Sequence, residues 1–142
     1  MKYAPIIAAA LLLGACETIP AAAPPPPAGA SFEGELDLGE WRTSSEAATL
    51  AAFQQNVSAR YGAGLALTDA LADLRRSSFN CGPAPSPDLG DPPAQVCRRT
   101  TTANSCTHTW QVHLFDADGS LARTRGLYDR RCGGDGLLGG PG

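Results

Sequence analysis

Four cysteines in the second half of the chain set the limits within which it can fold: Cys81, Cys97, Cys106 and Cys132. Large apolar side chains are few between residues 44 and 132, because much of the 43% hydrophobic fraction is alanine or lies near the start of the chain. A core built from so few large side chains needs further stabilisation, which cysteines provide as disulfides or as zinc ligands. The sequence has no Cys-x-x-Cys spacing, so the compartment in which the chain works decides between these alternatives.

The first 15 residues are arranged like a secretory leader. Lys2 precedes an apolar run from Ile6 to Leu13 that is too short to span a bilayer, and small residues come before Cys16. This layout predicts a signal peptide over residues 1–15 and export of the remaining chain to an oxidising compartment. A generic export signal that is cut near Ala21 to Ala23, with Cys16 uninvolved, is the alternative.

Leu13-Gly14-Ala15-Cys16 resembles the lipobox of bacterial lipoproteins. In that class the cysteine thiol is diacylated and the leader is cut before the cysteine. The resemblance therefore implies that Cys16 carries acyl chains such as palmitate and anchors the chain to a membrane. Glu17 differs from the aspartate that retains some enterobacterial lipoproteins at the inner membrane, so the resemblance implies an outer-membrane lipoprotein whose domain faces the periplasm.

Export predicts that the four remaining cysteines form two disulfides and not a zinc site. We expect the pairing Cys81–Cys97 with Cys106–Cys132. The first pair flanks a loop rich in proline and glycine, and the second pair meets at the open end of a predicted hairpin. The pairing Cys97–Cys106 with Cys81–Cys132 stays open as an alternative.

Composition divides the exported chain into three parts. Residues 16–30 are mainly alanine and proline, including the run Pro24 to Pro27, and this composition is typical of an extended polyproline II tether. Residues 31–132 have the patterns of one small domain. Residues 133–142 are rich in glycine and predict a flexible tail.

Two helices are predicted in the first half of the domain. A capping-box pattern from Thr43 to Glu46 begins the first helix, and Gly62 ends it. The second helix begins at Thr68 and ends by Ser77. The apolar stripe of the first helix is Leu50, Phe53, Val57 and Tyr61, and that of the second is Leu67, Leu71 and Leu74.

Three strands are predicted after the helices, over residues 95–101, 107–115 and 121–130, with a tight turn from Asp116 to Gly119. Residues 31–38 also alternate between apolar and acidic side chains, which indicates an extra edge strand ahead of the helices. The expected buried face of the middle strand consists of Cys106, His108, Trp110, Val112 and Leu114. We therefore expect an α+β fold in which two N-terminal helices pack on a three-stranded antiparallel meander, with two disulfides.

This element order resembles small outer-membrane lipoproteins of the SmpA/OmlA (BamE-like) type. The resemblance rests on a lipobox, a tether, a helix that carries Leu71 and Leu74 and leads into Phe79, and a closing hairpin that contains Trp110. It implies a role in envelope assembly, and no binding residue is transferred from the family. β-Lactamase-inhibitor-like modules are similar in having a helix pair, a following sheet and two disulfides.

The chain has two histidines, His108 and His113, which an odd separation on a strand sends to opposite faces, so they cannot share a metal ion. An enzyme would combine one of them with Asp116 or Asp118, yet the sequence contains no nucleophile elbow and no cofactor fingerprint. We therefore expect a non-catalytic binding module without metal or cofactor. A small periplasmic enzyme that uses these residues, and a protein inhibitor that acts through the loop 82–96, are the alternatives.

Arginines provide the main lead to a partner. A candidate basic patch on the sheet consists of Arg98, Arg99, Arg123 and Arg125. Such a patch suits an envelope protein or an anionic envelope polymer. A solvated sheet face that is neutralised by nearby acidic residues is the alternative. The net charge of −3 and the predicted export exclude nucleic acid as an expected partner.

Overall fold

The computed structural model describes residues 29–85 and 90–133. The predicted signal peptide, Cys16, most of the predicted tether and the tail from residue 134 lie outside these ranges. The described residues form the helices α1 (Glu46–Arg60) and α2 (Leu67–Arg76) and the strands β1 (Asn80–Pro83), β2 (Gln95–Ala103), β3 (Cys106–Ala117) and β4 (Ser120–Cys132). The strands make one antiparallel sheet in the order β1-β2-β3-β4. Neither helix among these residues is long and apolar enough to span a membrane.

The predicted α+β class is confirmed, with both helices ahead of the antiparallel meander. The fourth strand is β1, however, and the strand expected over residues 31–38 is wrong. That segment bends at Gly34, where φ is +63°, and joins no strand ladder. The apolar residues of the alternating pattern are buried although the segment pairs with no strand: Leu36 is 3% exposed, and both Phe32 and Leu38 pack against the core.

Residues 29–38, which we call the strap, are held to the helices by hydrogen bonds between side chains and backbone. Asp69 accepts from the first two amides of the strap at 3.0 and 3.1 Å. Ser77 Oγ accepts from the amide of Leu36 at 2.9 Å, and Arg60 donates to the carbonyl of Gly34 at 2.7 Å. The backbone of the strap is thus satisfied by α1 and α2 in place of a neighbouring strand.

Asp73 joins the two helices and, through them, the strap. It is 1% exposed and accepts hydrogen bonds from Arg60 Nε at 2.6 Å, from the Tyr61 hydroxyl at 2.6 Å and from Arg76. Arg76 also donates to the carbonyl of Phe32 in the strap at 3.3 Å. A buried carboxylate is stable here because two guanidinium groups and one hydroxyl replace the water it has lost.

Helix α1 begins two residues later than the capping-box pattern predicted. Its N-cap is Ser45, whose Oγ accepts a hydrogen bond from the amide of Ala48 at 3.2 Å, and Thr43 lies outside the helix. Glu46 therefore occupies the first helical position. Its Oε1 accepts a hydrogen bond from the amide of Arg130 in β4 at 3.3 Å, so the residue connects helix and sheet.

The buried stripe of α1 packs on the inner face of β4. Phe53 and Val57 are fully buried, and Phe53 lies directly over Gly126. A Cβ atom at Gly126 would lie 3.1 Å from Phe53 Cδ1 and 3.4 Å from the Cα of Gln54. Only glycine therefore lets α1 approach the strand this closely.

Side chains and backbone of the helical region also cover the outer edge of β4. Gln54 Nε2 donates to the carbonyl of Gly126 at 3.3 Å, and Glu46 accepts from the amide of Arg130. Near the β3–β4 turn, the amide of Gly64 donates to the carbonyl of Leu121 at 2.8 Å. The amide of Leu121 in turn donates to the carbonyl of Leu65, also at 2.8 Å. The opposite edge consists of β1, which has only four residues and ends at a proline, and of the part of β2 beyond Arg98, with which β1 does not pair. The edge at β4 is thus a poor template for a further strand.

Both expected disulfides are present and each joins directly opposed residues of adjacent strands. Cys81 faces Cys97 across β1 and β2, and Cys106 faces Cys132 across β3 and β4. The Cα atoms of the pairs are 4.0 and 3.9 Å apart. The alternative pairing that the sequence left open does not occur.

A bulge near the hairpin turn sets the register that brings Cys132 to Cys106. Next to the turn Asp116 pairs with Leu121, but after a shift Phe115 pairs with Arg123, and this register continues to the disulfide. Without the extra residue Cys106 would face Arg131, and β4 would present its other set of side chains to the core.

Candidate binding surface on the open face of the sheet

The two faces of the sheet differ in their covering. The inner face lies under α1, α2 and the strap, and holds Trp110, Val112 and Leu114 at 0% exposure. No helix of residues 29–85 and 90–133 packs on the other face, which we call the open face. Its polar side chains include Asn80, Arg98, Thr100, Thr102, Thr107, Thr109, Gln111, His113, Arg123, Arg125, Asp129 and Arg131.

The structure assembles the predicted basic patch only in part. Arg98 and Arg125 lie exposed on the open face on either side of β3. Arg99 points to the inner face, because adjacent residues of a strand point in opposite directions, and it donates to the carbonyl of Ser77 at 2.9 Å. Arg123 is on the open face, but it pairs with Asp91 at 2.7 Å and its guanidinium stacks 3.5 Å from the Phe115 ring centroid.

Arg98 and Arg125 are left without an acidic partner among the described residues. Arg131, on the same face, pairs with Asp129 at 3.0 Å, as Arg123 pairs with Asp91. The middle of the open face therefore carries two positive charges that the described part of the protein does not neutralise. An anionic group that contacts the sheet here gains their attraction without breaking an existing ion pair.

His113 lies between these two arginines. Arg125 Nη2 donates to His113 Nδ1 at 3.0 Å, and His113 Nε2 lies 3.3 Å from Gln111 Oε1. Since Nδ1 accepts from a guanidinium, the proton of the neutral ring belongs on Nε2, which donates to Gln111. Burial, followed by the charges of Arg125 and Arg98, lowers the pKa of His113 below its ordinary value. The imidazole is therefore neutral at pH 7 and adds no third charge.

Two depressions mark the open face. The first, which we call the strand groove, has a volume of about 230 Å³ and is lined by Arg98, Thr107, Thr109, Gln111, Asp129 and Arg131. The second, which we call the loop pocket, has a volume of about 310 Å³. It lies where the disulfide-closed loop folds against the sheet and is lined by Ala84, Pro85, Asp91, Pro92, Pro93, Val96, His113 and Arg125. The strand groove was not expected as a site, although the alternation of β2 and β3 already puts Arg98, Thr107, Thr109 and Gln111 on one face.

His108 belongs to a different environment on the inner face. It is 4% exposed, and its Nδ1 is 2.7 Å from the Tyr128 hydroxyl. The rings of Trp41 and Trp110 lie against it, with centroids 4.6 and 6.0 Å away. The indole nitrogen of Trp110 is buried without a hydrogen-bond partner among the described residues. These contacts make His108 part of an aromatic cluster that closes one end of the core.

The residues proposed for a catalytic alternative lie in separate contacts. Asp116 Oδ1 accepts from the amide of Gly119 at 2.9 Å and so shapes the turn, while Asp118 lies in the turn itself with φ at 54°. Neither Asp116 nor Asp118 hydrogen-bonds to a histidine. Both aspartates and both histidines are among the described residues. Within residues 29–85 and 90–133, His, Cys, Asp and Glu side chains form no group of three that could hold a metal ion.

Comparison of the sequence with protein-family models and with curated proteins, and of the structure with solved structures, finds no match.

Proposed function

We propose that the protein is a lipid-anchored lipoprotein of the bacterial outer membrane and acts in the periplasm as a non-catalytic binding module. Its open face is the recognition surface, and its partner is an envelope protein or an anionic envelope polymer. A role in envelope assembly, as the resemblance to SmpA/OmlA-type lipoproteins implies, belongs to this proposal.

The anchor is supported by the sequence and the compartment by the disulfides. The leader and the motif that ends at Cys16 have the layout of a lipoprotein signal. Both cysteine pairs of the domain are oxidised and stand opposite each other in the sheet, which fits an exported protein.

The observation that carries the binding role is the pair Arg98 and Arg125 on a sheet face that no described helix covers. Antiparallel sheets often leave one face to water, and two other arginines of this face, Arg123 and Arg131, are neutralised by aspartates. Arg98 and Arg125, by contrast, have no acidic partner among the described residues, and Arg125 is bonded to a neutral histidine. A partner with anionic groups spaced across β2 to β4 complements this surface.

The double variant Arg98→Ala/Arg125→Ala tests the role of the open face. We expect the full chain to lose at least half of its association with envelope fractions near physiological ionic strength, and the association of the unmodified chain to weaken as salt rises. Chemical crosslinking in intact cells should lose the same adducts.

The matched control is Arg42→Ala/Arg75→Ala, which removes the same charge from exposed positions away from the open face. It should keep the association. Equal association of both double variants and the unmodified chain over the salt titration would overturn the proposed surface. Metabolic labelling with a fatty-acid analogue tests the anchor separately, since Cys16→Ser should abolish labelling and release the chain from membranes.

A further inference from the structure

The loop pocket differs from the rest of the open face because it combines an apolar wall with a cation. Pro92, Pro93 and Val96 form the wall, and Arg125 and His113 form the opposite side. Its volume of about 310 Å³ is at the lower end of the range found for small-ligand sites. The Cys81–Cys97 disulfide and the bond from the amide of Ala94 to the carbonyl of Leu114, at 2.8 Å, hold the loop ends in place.

The charged side of this pocket is suited to one carboxylate. The guanidinium of Arg125 carries five N–H donors, and its bond to His113 uses one of them. Asp91 also lines the pocket, but its carboxylate pairs with Arg123 at 2.7 Å, which offsets its repulsion of an incoming anion. Arg98 adds a second positive charge close enough to His113 to affect its ionisation.

We propose that the loop pocket binds the C-terminal carboxylate of a peptide that ends in a small apolar residue. The carboxylate pairs with Arg125, and the terminal side chain packs on Pro92, Pro93 and Val96. This inference rests on the proposed function and specifies one chemical group that the open face recognises.

A peptide end fits the lining better than a sugar acid does. Sugar rings are commonly bound by stacking on tryptophan, tyrosine or phenylalanine side chains, and none of these is among the described residues that line the pocket. Proline and valine instead offer rigid aliphatic surface, which suits an alanine or valine side chain.

NMR of the two histidine rings provides the test, with the full chain purified in detergent micelles. N-acetyl-alanyl-alanine should shift the His113 ring signals in a saturable manner and leave those of His108, which lies on the inner face, unchanged. The C-terminal amide of the same peptide should produce no shift. Bound carboxylate should also raise the pKa of His113, because it opposes the charges of Arg125 and Arg98.

Arg125→Gln should weaken binding of the peptide acid about tenfold or more, as expected for loss of a charge-assisted hydrogen bond. Arg75→Gln, on an exposed position of α2, should leave binding unchanged. An equal response to the amide, an unchanged affinity in Arg125→Gln, or no response at all would overturn the proposal. Equal binding of glucuronic acid would overturn the peptide assignment.

The outcome for the pocket is separable from that for the open face. Failure of peptide binding together with envelope association that still requires Arg98 and Arg125 would overturn the pocket alone. Intact peptide binding with envelope association that ignores both arginines would overturn the proposed function alone.

Discussion

Asp73 shows how one residue can organise a protein with few large core side chains. Burial alone would raise the pKa of its carboxyl group, but hydrogen bonds from Arg60 and Tyr61 and the charges of Arg60 and Arg76 outweigh burial and lower the pKa. The same bonds raise the pKa of Arg60, and burial followed by the bond to Asp73 raises that of Tyr61. The side chains of Asp73, Arg60 and Tyr61 are thereby fixed in their present ionisation states at neutral pH.

Asp73→Asn should lower the free energy of unfolding by about 3 kcal/mol at pH 7, because removal of one partner leaves the largely buried guanidinium of Arg60 without its counter-charge. Chemical denaturation measures this loss. Asp118→Asn, at an exposed turn position where asparagine tolerates the positive φ, should cost less than 0.5 kcal/mol, about the size of a neutral surface change.

The same residue predicts a pH dependence. A carboxyl group whose pKa is lowered by folding contributes stability that is fully present above its unfolded value, near 3.8, and is lost as the pH falls through the folded value. The unmodified chain should therefore lose stability below about pH 4 more steeply than Asp73→Asn does. Parallel stability curves of the two chains between pH 5 and pH 2 would contradict the assigned role of this carboxylate.

Contact between α1 and β4 depends on a missing side chain. Gly126→Ala would place a methyl group 3.1 Å from the ring of Phe53, which is fully buried and cannot turn away, and 3.4 Å from the helix backbone. We expect a loss of about 1 to 2 kcal/mol in the free energy of unfolding, since overpacking outweighs the entropic gain of replacing glycine. Thermal or urea unfolding measures it. Gly62→Ala is the matched control, because a Cβ there meets no atom within 4 Å. Equal stability of both variants would show that the helix shifts freely.

Much of the element pattern follows from side-chain periodicity. The stripe of α1, the inward face of β3 and the tight hairpin turn are all readable from the sequence, because each follows from a local rule. The prediction of a strand over residues 31–38 was wrong, because alternation of apolar and polar side chains indicates which side chains are buried and not which groups their backbone bonds to. The four residues of β1 are too few to show a period.

The candidate surface was less readable, because it depends on register. The bulge between the turn and Phe115 moves β4 by one residue and thereby places Arg125 opposite His113. No local sequence signal locates that extra residue. Assignment of Arg98 and Arg99 to opposite faces was accessible from strand alternation, whereas the ion pair of Arg123 with Asp91 depends on the path of the loop.

At the scale of the whole molecule, the two disulfides supply stability that a larger hydrophobic core would otherwise provide. They close segments with sequence separations of 16 and 26 residues, for which chain entropy gives about 3 and 3.5 kcal/mol of stabilisation. Cys106→Ala/Cys132→Ala should therefore lower the free energy of unfolding by about 3.5 kcal/mol in urea titrations. Cys81→Ala/Cys97→Ala should cost at least as much, because Cys97 is fully buried and its removal also leaves a cavity. A loss below 1 kcal/mol in either variant would argue that the sheet holds without its cross-link.

The covered edge of β4 affects how copies of the protein interact when they are close together. If the protein carries the acyl anchor that we propose, its copies diffuse in two dimensions, where neighbours meet at effective concentrations far above those in solution. An edge strand of thirteen residues with free backbone groups would then favour edge-to-edge pairing between the sheets of neighbouring copies. With Glu46, Gln54 and the turn after α1 already bonded along that edge, anchored copies of the kind we propose would not pair through β4 even at high surface density.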